Sequence, residues 1–325
     1  MFVNLQRTPK AFDAWFFKWG EGVILFYLAQ VFLKRKQVKS LVVVFLVSSC
    51  LLSIDGIVQK ITCKDFLRGF DIVDVGGFKA IRASFNHFND FSTFLVAMFF
   101  LNFSTLIKTK KNWLKPILFA ICLLILFNIT FTYSRAAWIA LGFGSLVFVL
   151  LYPNKTFRLR TFCFLLIFIV LVLAIPQARS FVQDFIERGF SIRTKIWKTA
   201  LLMFKDSPVL GKGVGSFMHY VTIYGKKYGL TPTYAHNCYL QILAESGILG
   251  LGAFLVFVFT LMFQSIKTLI REKDIVFLGL FAAFCGFCVQ IFFDTQLYSL
   301  KISILFWLIA AFTANYAISK KPRKI

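Results

Sequence analysis

The chain has 325 residues, of which 58% are apolar, 18% aromatic and only 16% charged. That composition, with a mean hydropathy of +0.76, excludes a disordered chain and an ordinary soluble globular domain, and most of the length must be spent crossing a bilayer. The net charge of +23 would point to nucleic acid in a soluble protein, but in a membrane protein it is largely the cytoplasmic Lys/Arg excess, and no nucleic-acid partner is expected.

A spanning helix needs about 20 mostly apolar residues. Nine stretches qualify, in chain order 15–33, 40–56, 90–107, 113–132, 136–152, 161–176, 246–265, 275–293 and 300–318. Lys18 and Glu21 interrupt the first, which makes it the weakest. The runs are long and continuous and lack period-2 alternation, so strands are not expected. The connectors set the orientation. Lys34-Arg35-Lys36 with Lys39, the four lysines from Lys108 to Lys115, Lys155 with Arg158 and Arg160, Lys267 with Arg271 and Lys273, and the Lys320–Lys324 tail are all basic. All five fall on one side if every run crosses once, and the positive-inside rule makes that side cytoplasmic.

The expected fold is therefore an all-α integral membrane protein of about nine transmembrane helices with one large external helical loop. Residues 1–176 carry six spans and a shorter external loop at 57–89; 177–245 form the loop domain; 246–325 carry three spans and a basic cytoplasmic tail. This arrangement puts the N-terminus outside, although Met1-Phe2-Val3 begins no cleavable signal pattern. Of seven cysteines, five lie in apolar runs. Cys63 and Cys238 lie in connectors, where one disulfide is left open. Cys285-Gly-Phe-Cys288 has redox spacing, but inside an apolar run it reads as packing.

The 177–245 loop breaks the charge pattern, with nine Lys and Arg against four Asp and Glu. Long loops translocate largely regardless of charge, so the topology stands. A basic external face suits an anionic partner. The bland reading is lipid headgroups; the sharper one is a phosphate or pyrophosphate site, to which the planar fork of arginine is matched. Arg135 sits in Thr132-Tyr-Ser-Arg135-Ala-Ala-Trp138, a very short hairpin between two spans. It reads either as an interfacial arginine that snorkels between belt aromatics or as a phosphate clamp.

Arg193 opens a predicted helix that carries Trp197 and Leu201 on one face and stops at Pro208. The Gly211-Lys-Gly213-Val-Gly215 run that follows lacks Walker A spacing and reads as a structural turn. His236 precedes Asn237, a residue fit to cap the next helix, which puts His236 at that helix's N-terminal mouth. There a neutral imidazole could take a proton from a sugar hydroxyl; the alternative is a packed histidine. His87 and His219 have weaker settings, and three scattered histidines make a metal site unexpected.

Taken in order, Asn86-His-Phe-Asn89 after Arg82, Ser134-Arg135-Ala-Ala-Trp138, Arg193 with Trp197, Asp206-Ser-Pro with its Gly-x-Gly turn, and His236-Asn237 through Glu245-x-Gly247 resemble the O-antigen ligase/polymerase superfamily. The resemblance covers about residues 80–265. It implies a metal-independent, inverting membrane glycosyltransferase of the bacterial inner membrane, with its active site facing the periplasm and no cofactor. Its donor would be an undecaprenyl-pyrophosphate-linked glycan, and its acceptor lipid A core oligosaccharide in a ligase or a second carrier-linked repeat in a polymerase; related members glycosylate proteins. Carried over, Arg135 and Arg193 would hold the pyrophosphate and His236 would be the base. Arg82, Lys195 and Lys198 would assist, Asn237 would cap, and Glu245 would either orient His236 or end a helix. Full family members have about a dozen spans with both ends cytoplasmic, so three further N-terminal spans are expected of a full-length form. Two non-enzymatic readings compete: a transporter of an anionic glycolipid, which should show internal repeats or mid-membrane charges, and a membrane scaffold.

Overall fold

The computed structural model describes residues 19–32, 35–75, 77–161, 192–231 and 233–318. The expected span at 161–176, Lys18 and Cys163 lie outside the described residues apart from residue 161. The chain is mainly helical. In order come α1 (Glu21–Phe32), α2 (Arg35–Thr62), α3 (Phe88–Lys108), α4 (Leu114–Phe131), α5 (Arg135–Leu151), α6 (155–161), α7 (192–206), α8 (Phe217–Tyr224), α9 (Cys238–Glu272), α10 (Ile275–Phe293) and α11 (Leu300–Ile318).

Six described helices are long and apolar enough to cross a membrane: Val42–Thr62 within α2, then α3, α4, α9, α10 and Leu300–Ala317 of α11. α1 and α5 are apolar but shorter. α1 begins at Glu21, where an acidic side chain favours a helix start. Its 12 residues reach only about 18 Å, against a hydrocarbon core of about 30 Å.

The chain divides into two compact units, one of which comprises 18–151, 258–291 and 296–325. Inside that unit, helices approach where side chains are small. Gly22 lies against the Trp307 ring, and an added Cβ would come within 2.1 Å of it. Gly144 meets Phe100, and Gly279 meets Ser104. Buried amides tie neighbouring helices in place of a hydrophobic force, which lipid does not supply. Asn102 donates to Ser49 Oγ at 3.0 Å, Asn128 to the Ser53 carbonyl at 3.0 Å, and Gln290 to Ser92 Oγ at 3.1 Å.

One expectation needs correction. The 57–89 connector contains strands, where none were expected: β1 (Val73–Val75) pairs antiparallel with β2 (Phe78–Ala80), Val75 opposite Phe78. Long unalternating apolar runs exclude membrane strands, but a three-residue strand leaves no such run. The local cue was the Gly76-Gly77 pair between Val and Phe; Gly77 has φ +87°, and its N–H donates to Asp74 Oδ1 at 2.9 Å. Cys63 and Cys238 are both free thiols, so the disulfide left open is not formed.

Candidate functional site

The other unit comprises 152–257 with 292–295 among its described parts. It has a small core of its own. Ile196, Ala200 and Met203 lie on one face of α7 and pack with Phe217 and Val221 of α8, Ala235 and Ala244. α7 ends at residue 206, as Pro208 requires.

α9 is broken at Gly247, whose φ of +65° and ψ of −164° are not helical. The break leaves backbone groups without helical partners, and the 207–213 turn supplies them. Lys212 N–H donates to the Ala244 carbonyl at 3.0 Å and Gly213 N–H to the Glu245 carbonyl at 2.9 Å. On the far side of the break, Ile248 N–H donates to the Pro208 carbonyl at 2.9 Å. The glycines allow the approach. A Cβ on Gly211 would come within 2.3 Å of the Glu245 backbone, and one on Gly247 within 2.2 Å of the Val209 carbonyl oxygen. The glycine run is thus the structural turn its sequence implied.

Glu245 is 1% exposed. Its carboxylate accepts from Gly215 N–H at 3.0 Å, Phe217 N–H at 3.1 Å and Gln241 Nε2 at 3.2 Å. Gln241 Oε1 in turn accepts from Ala235 N–H at 2.9 Å. Glu245 thus braces the start of α8 and, through Gln241, the residue before His236. Of the two roles left open for it, ending a helix is close: it stands two residues before the break.

Asn237 caps α9 as expected, its Oδ1 accepting from Leu240 N–H at 3.0 Å. His236 then takes a left-handed φ of +49°, a conformation that costs a non-glycine residue energy and is found where surrounding structure imposes it. Its Nδ1 lies 3.0 Å from Asp294 Oδ1, with side-chain exposures of 38% for His236 and 11% for Asp294. Asp294 is itself held: Oδ1 accepts from Thr295 N–H at 2.8 Å, and its carbonyl accepts from Cys238 Sγ at 3.3 Å. A carboxylate on Nδ1 fixes the tautomer that carries hydrogen there and leaves Nε2 as the nitrogen able to accept a proton.

Trp197 joins α7 to this segment, its indole N–H donating to the Ala235 carbonyl at 3.1 Å. Its ring packs edge-on against Phe292, with centroids 5.8 Å apart, and Phe292 also meets Tyr239. Arg193, half-buried, stands one turn before Trp197 and so shares its face, the face turned to the His236 segment. Lys195, exposed, projects from nearly the opposite face of α7. Lys198 lines an open cavity of about 380 Å³ with Leu201, Lys205, Lys227 and Tyr228 among others.

The remaining predicted residues lie in the first unit. Arg135 is exposed at the start of α5, after Tyr133, whose φ is +52° and whose ring packs on Phe78 at 5.0 Å. Arg82 is committed locally, donating to the Asp71 carbonyl at 3.1 Å and the Asn86 carbonyl at 3.0 Å. Among the described residues, no three His, Cys, Asp or Glu side chains gather as metal ligands.

An O-antigen ligase family model matches residues 120–255. That stretch contains Arg135, Arg193, His236 and Glu245. The chain is also 24% identical over 199 residues to the O-antigen ligase of Salmonella typhimurium strain LT2. Both comparisons support the O-antigen ligase superfamily. The second match takes in 55% of this chain and 48% of the relative, so the chain spans about half the length of the curated ligase it matches. The resemblance seen in the sequence is thereby supported. Asp294 lies outside the matched O-antigen ligase stretch and was missed by sequence reasoning. Its only local sign is a carboxylate directly after the apolar run Ile291-Phe-Phe293, which also marks nothing more than a span end.

A second polar cluster ties α7, the glycine turn and α8 together. Asp206, Lys212 and Tyr224 are joined by hydrogen bonds to the Asp206 carboxylate. Those from Lys212, then from Tyr224, hold Asp206 below its ordinary value of 3.8. Burial pulls Lys212 down, but its bonds to Asp206 and Tyr224 outweigh that and hold it above its ordinary range. Because the folded value of Asp206 is depressed, its stabilisation is complete above 3.8 and is lost as pH falls through the folded value. Asp206 is exposed, so the effect is modest. Proteolytic resistance of the loop should fall in acid for the wild type, and Asp206→Asn should flatten that dependence; parallel acid curves would contradict it.

Proposed function

We propose that this chain transfers a glycan from an undecaprenyl-pyrophosphate carrier to an acceptor hydroxyl at the periplasmic face of the bacterial inner membrane. The observation that carries the reading is the 3.0 Å pair between His236 Nδ1 and Asp294 Oδ1, inside a chain that resembles O-antigen ligases. In this reading His236 Nε2 takes the acceptor proton as the hydroxyl oxygen attacks the anomeric carbon. The carbon–oxygen bond to the carrier breaks, the pyrophosphate departs with its electron pair, and configuration inverts. Asp294 holds the ring and stabilises the imidazolium as it forms.

Arg193 binds the departing pyrophosphate through paired N–H bonds. Arg135 is assigned the same task on its motif alone. Lys198 offers further positive charge along α7. Charge on the leaving group is met by arginine, so the proposed reaction is metal-independent. The acceptor we favour is lipid A core oligosaccharide; a polymerase or a protein O-oligosaccharide transferase would use the same donor chemistry.

The test is a reconstituted assay with an undecaprenyl-pyrophosphate glycan, EDTA, and the two acceptors offered separately. Glycan on lipid A core supports the ligase, and elongated carrier-linked glycan the polymerase. Absence of product with both acceptors, from protein that melts cooperatively, contradicts the reading. Arg193→Ala should cut kcat/KM for the donor by about 10²-fold, and Arg193→Lys should recover only part, because a point charge does not replace the fork.

A further inference from the structure

Arg68 and Lys301, in the unit containing α2, α3 and α11, converge on one neutral acceptor, and Arg82 shares the Phe70 ring with Arg68. Arg68 Nη1 and Lys301 Nζ both donate to one acceptor, the Ser84 carbonyl, at 3.3 and 3.0 Å. The two charges are therefore no further apart than the sum of those distances. The Arg68 and Arg82 guanidinium groups lie 4.4 and 4.8 Å from the centroid of Phe70, and Lys301 Nζ lies 5.4 Å from that of Phe85. Among the described residues, no carboxylate comes within 4.0 Å of any of the three cationic groups. A carbonyl oxygen orients such groups but leaves their charge uncancelled.

The nearby carboxylates are engaged with the scaffold: Asp90, which acts on Lys301 electrostatically, accepts from Ser299 Oγ at 2.7 Å. Asp65 accepts from the N–H groups of Arg68, at 2.7 Å, and of Phe70. Asp55 accepts from Phe66 N–H at 2.9 Å. The platform is held from below by Gln59, which is fully buried. Its Oε1 accepts from Arg82 and Ala83 N–H, both at 2.8 Å, and its Nε2 donates to the Phe70 carbonyl at 2.8 Å. Ala83 is fixed there at φ +44°. The cluster also has a definite height in the fold. α2 ends at Thr62, α3 begins at Phe88 and α11 begins at Leu300. It thus sits where three helices of spanning length terminate, which is the level of a bilayer surface.

We propose that Arg68 and Lys301, with Arg82 beside them, bind the phosphate group of a lipid at the membrane surface. Two cations preset around one point, flanked by a third, match an anion with several acceptor oxygens. Arg68 and Lys301, the residues the test varies, have no part in the transferase reading, so the site stands or falls separately from it.

The test is native mass spectrometry of the full chain with phosphatidylglycerol as probe and diacylglycerol as the uncharged control. Wild type should retain one phosphatidylglycerol at least about tenfold more tightly than R68Q/K301Q, while R68K/K301R keeps the binding. Displacement by inorganic pyrophosphate would assign recognition to the phosphate alone; resistance would assign it to the lipid-borne group, and both keep the site. Equal phosphatidylglycerol affinity in wild type and a folded R68Q/K301Q overturns the proposal, as does an equal loss of diacylglycerol. If R68Q/K301Q does not fold, a salt titration of the wild type decides. Binding that weakens with added salt supports the site, and salt-independent binding overturns it.

Discussion

His236→Ala is expected to lower kcat/KM for glycan transfer by about 10²- to 10⁴-fold, and Asp294→Asn to approach that loss without touching the acceptor. The reason is geometric. Asp294 Oδ1 is 3.0 Å from His236 Nδ1, and an amide there can present N–H to the same nitrogen, which would favour the tautomer with hydrogen on Nε2 and block proton uptake. Because the two side chains act as one device, His236→Ala/Asp294→Asn should be little worse than His236→Ala alone. Multiplicative losses in the double variant would mean that the Asp294 side chain acts elsewhere, for example only on the Thr295 N–H that donates to its Oδ1.

The largest effect on stability is expected at Gly247→Ala. Its φ of +65° with ψ of −164° lies in a region essentially reserved for glycine. A Cβ there would also come within 2.2 Å of the Val209 carbonyl oxygen, which is backbone and cannot swing away. Strain and overpacking together should destabilise the loop domain by about 2–5 kcal/mol. The same displacement should loosen the hydrogen bonds that the 207–213 turn makes across the break, so that proteases cut that turn first. Gly252 is the internal control: a Cβ meets nothing within 4 Å, and Gly252→Ala should be neutral or stabilising by up to about 1 kcal/mol. Thermal melting and limited proteolysis of the two variants side by side check this, and equal behaviour would contradict the account of the kink.

Much of this was legible in the sequence, for identifiable physical reasons. A spanning helix needs a long uninterrupted apolar run, and the stretches at 90–107, 113–132, 275–293 and 300–318 reappear nearly unchanged as α3, α4, α10 and α11. Chain-local chemistry was also readable: Pro208 ends α7, and Asn237 caps α9. What the sequence concealed depends on residues far apart along the chain. Asp294 meets a histidine 58 positions away, and no local pattern pairs them. The start of α9 at Cys238, ahead of the apolar run at 246, was hidden because Gln241 and Glu245 interrupt its first turns, both buried in hydrogen bonds inside the loop domain. For Glu245 the sequence left open whether it orients His236 or ends a helix, and its oxygens are in fact drawn to Gly215, Phe217 and Gln241. The short β-hairpin escaped a reading tuned to membrane-length strands.

The most direct test of the central claim is to map where the donor binds. A photoreactive undecaprenyl-pyrophosphate analogue, carrying its reactive group next to the diphosphate, would be cross-linked to the full chain in membranes and the adducts located by mass spectrometry. Adducts are expected in the α7 peptide that begins near Arg193 and in the 233–241 peptide around His236, both suppressed by unlabelled donor. Competable adducts confined to other parts of the chain would contradict it.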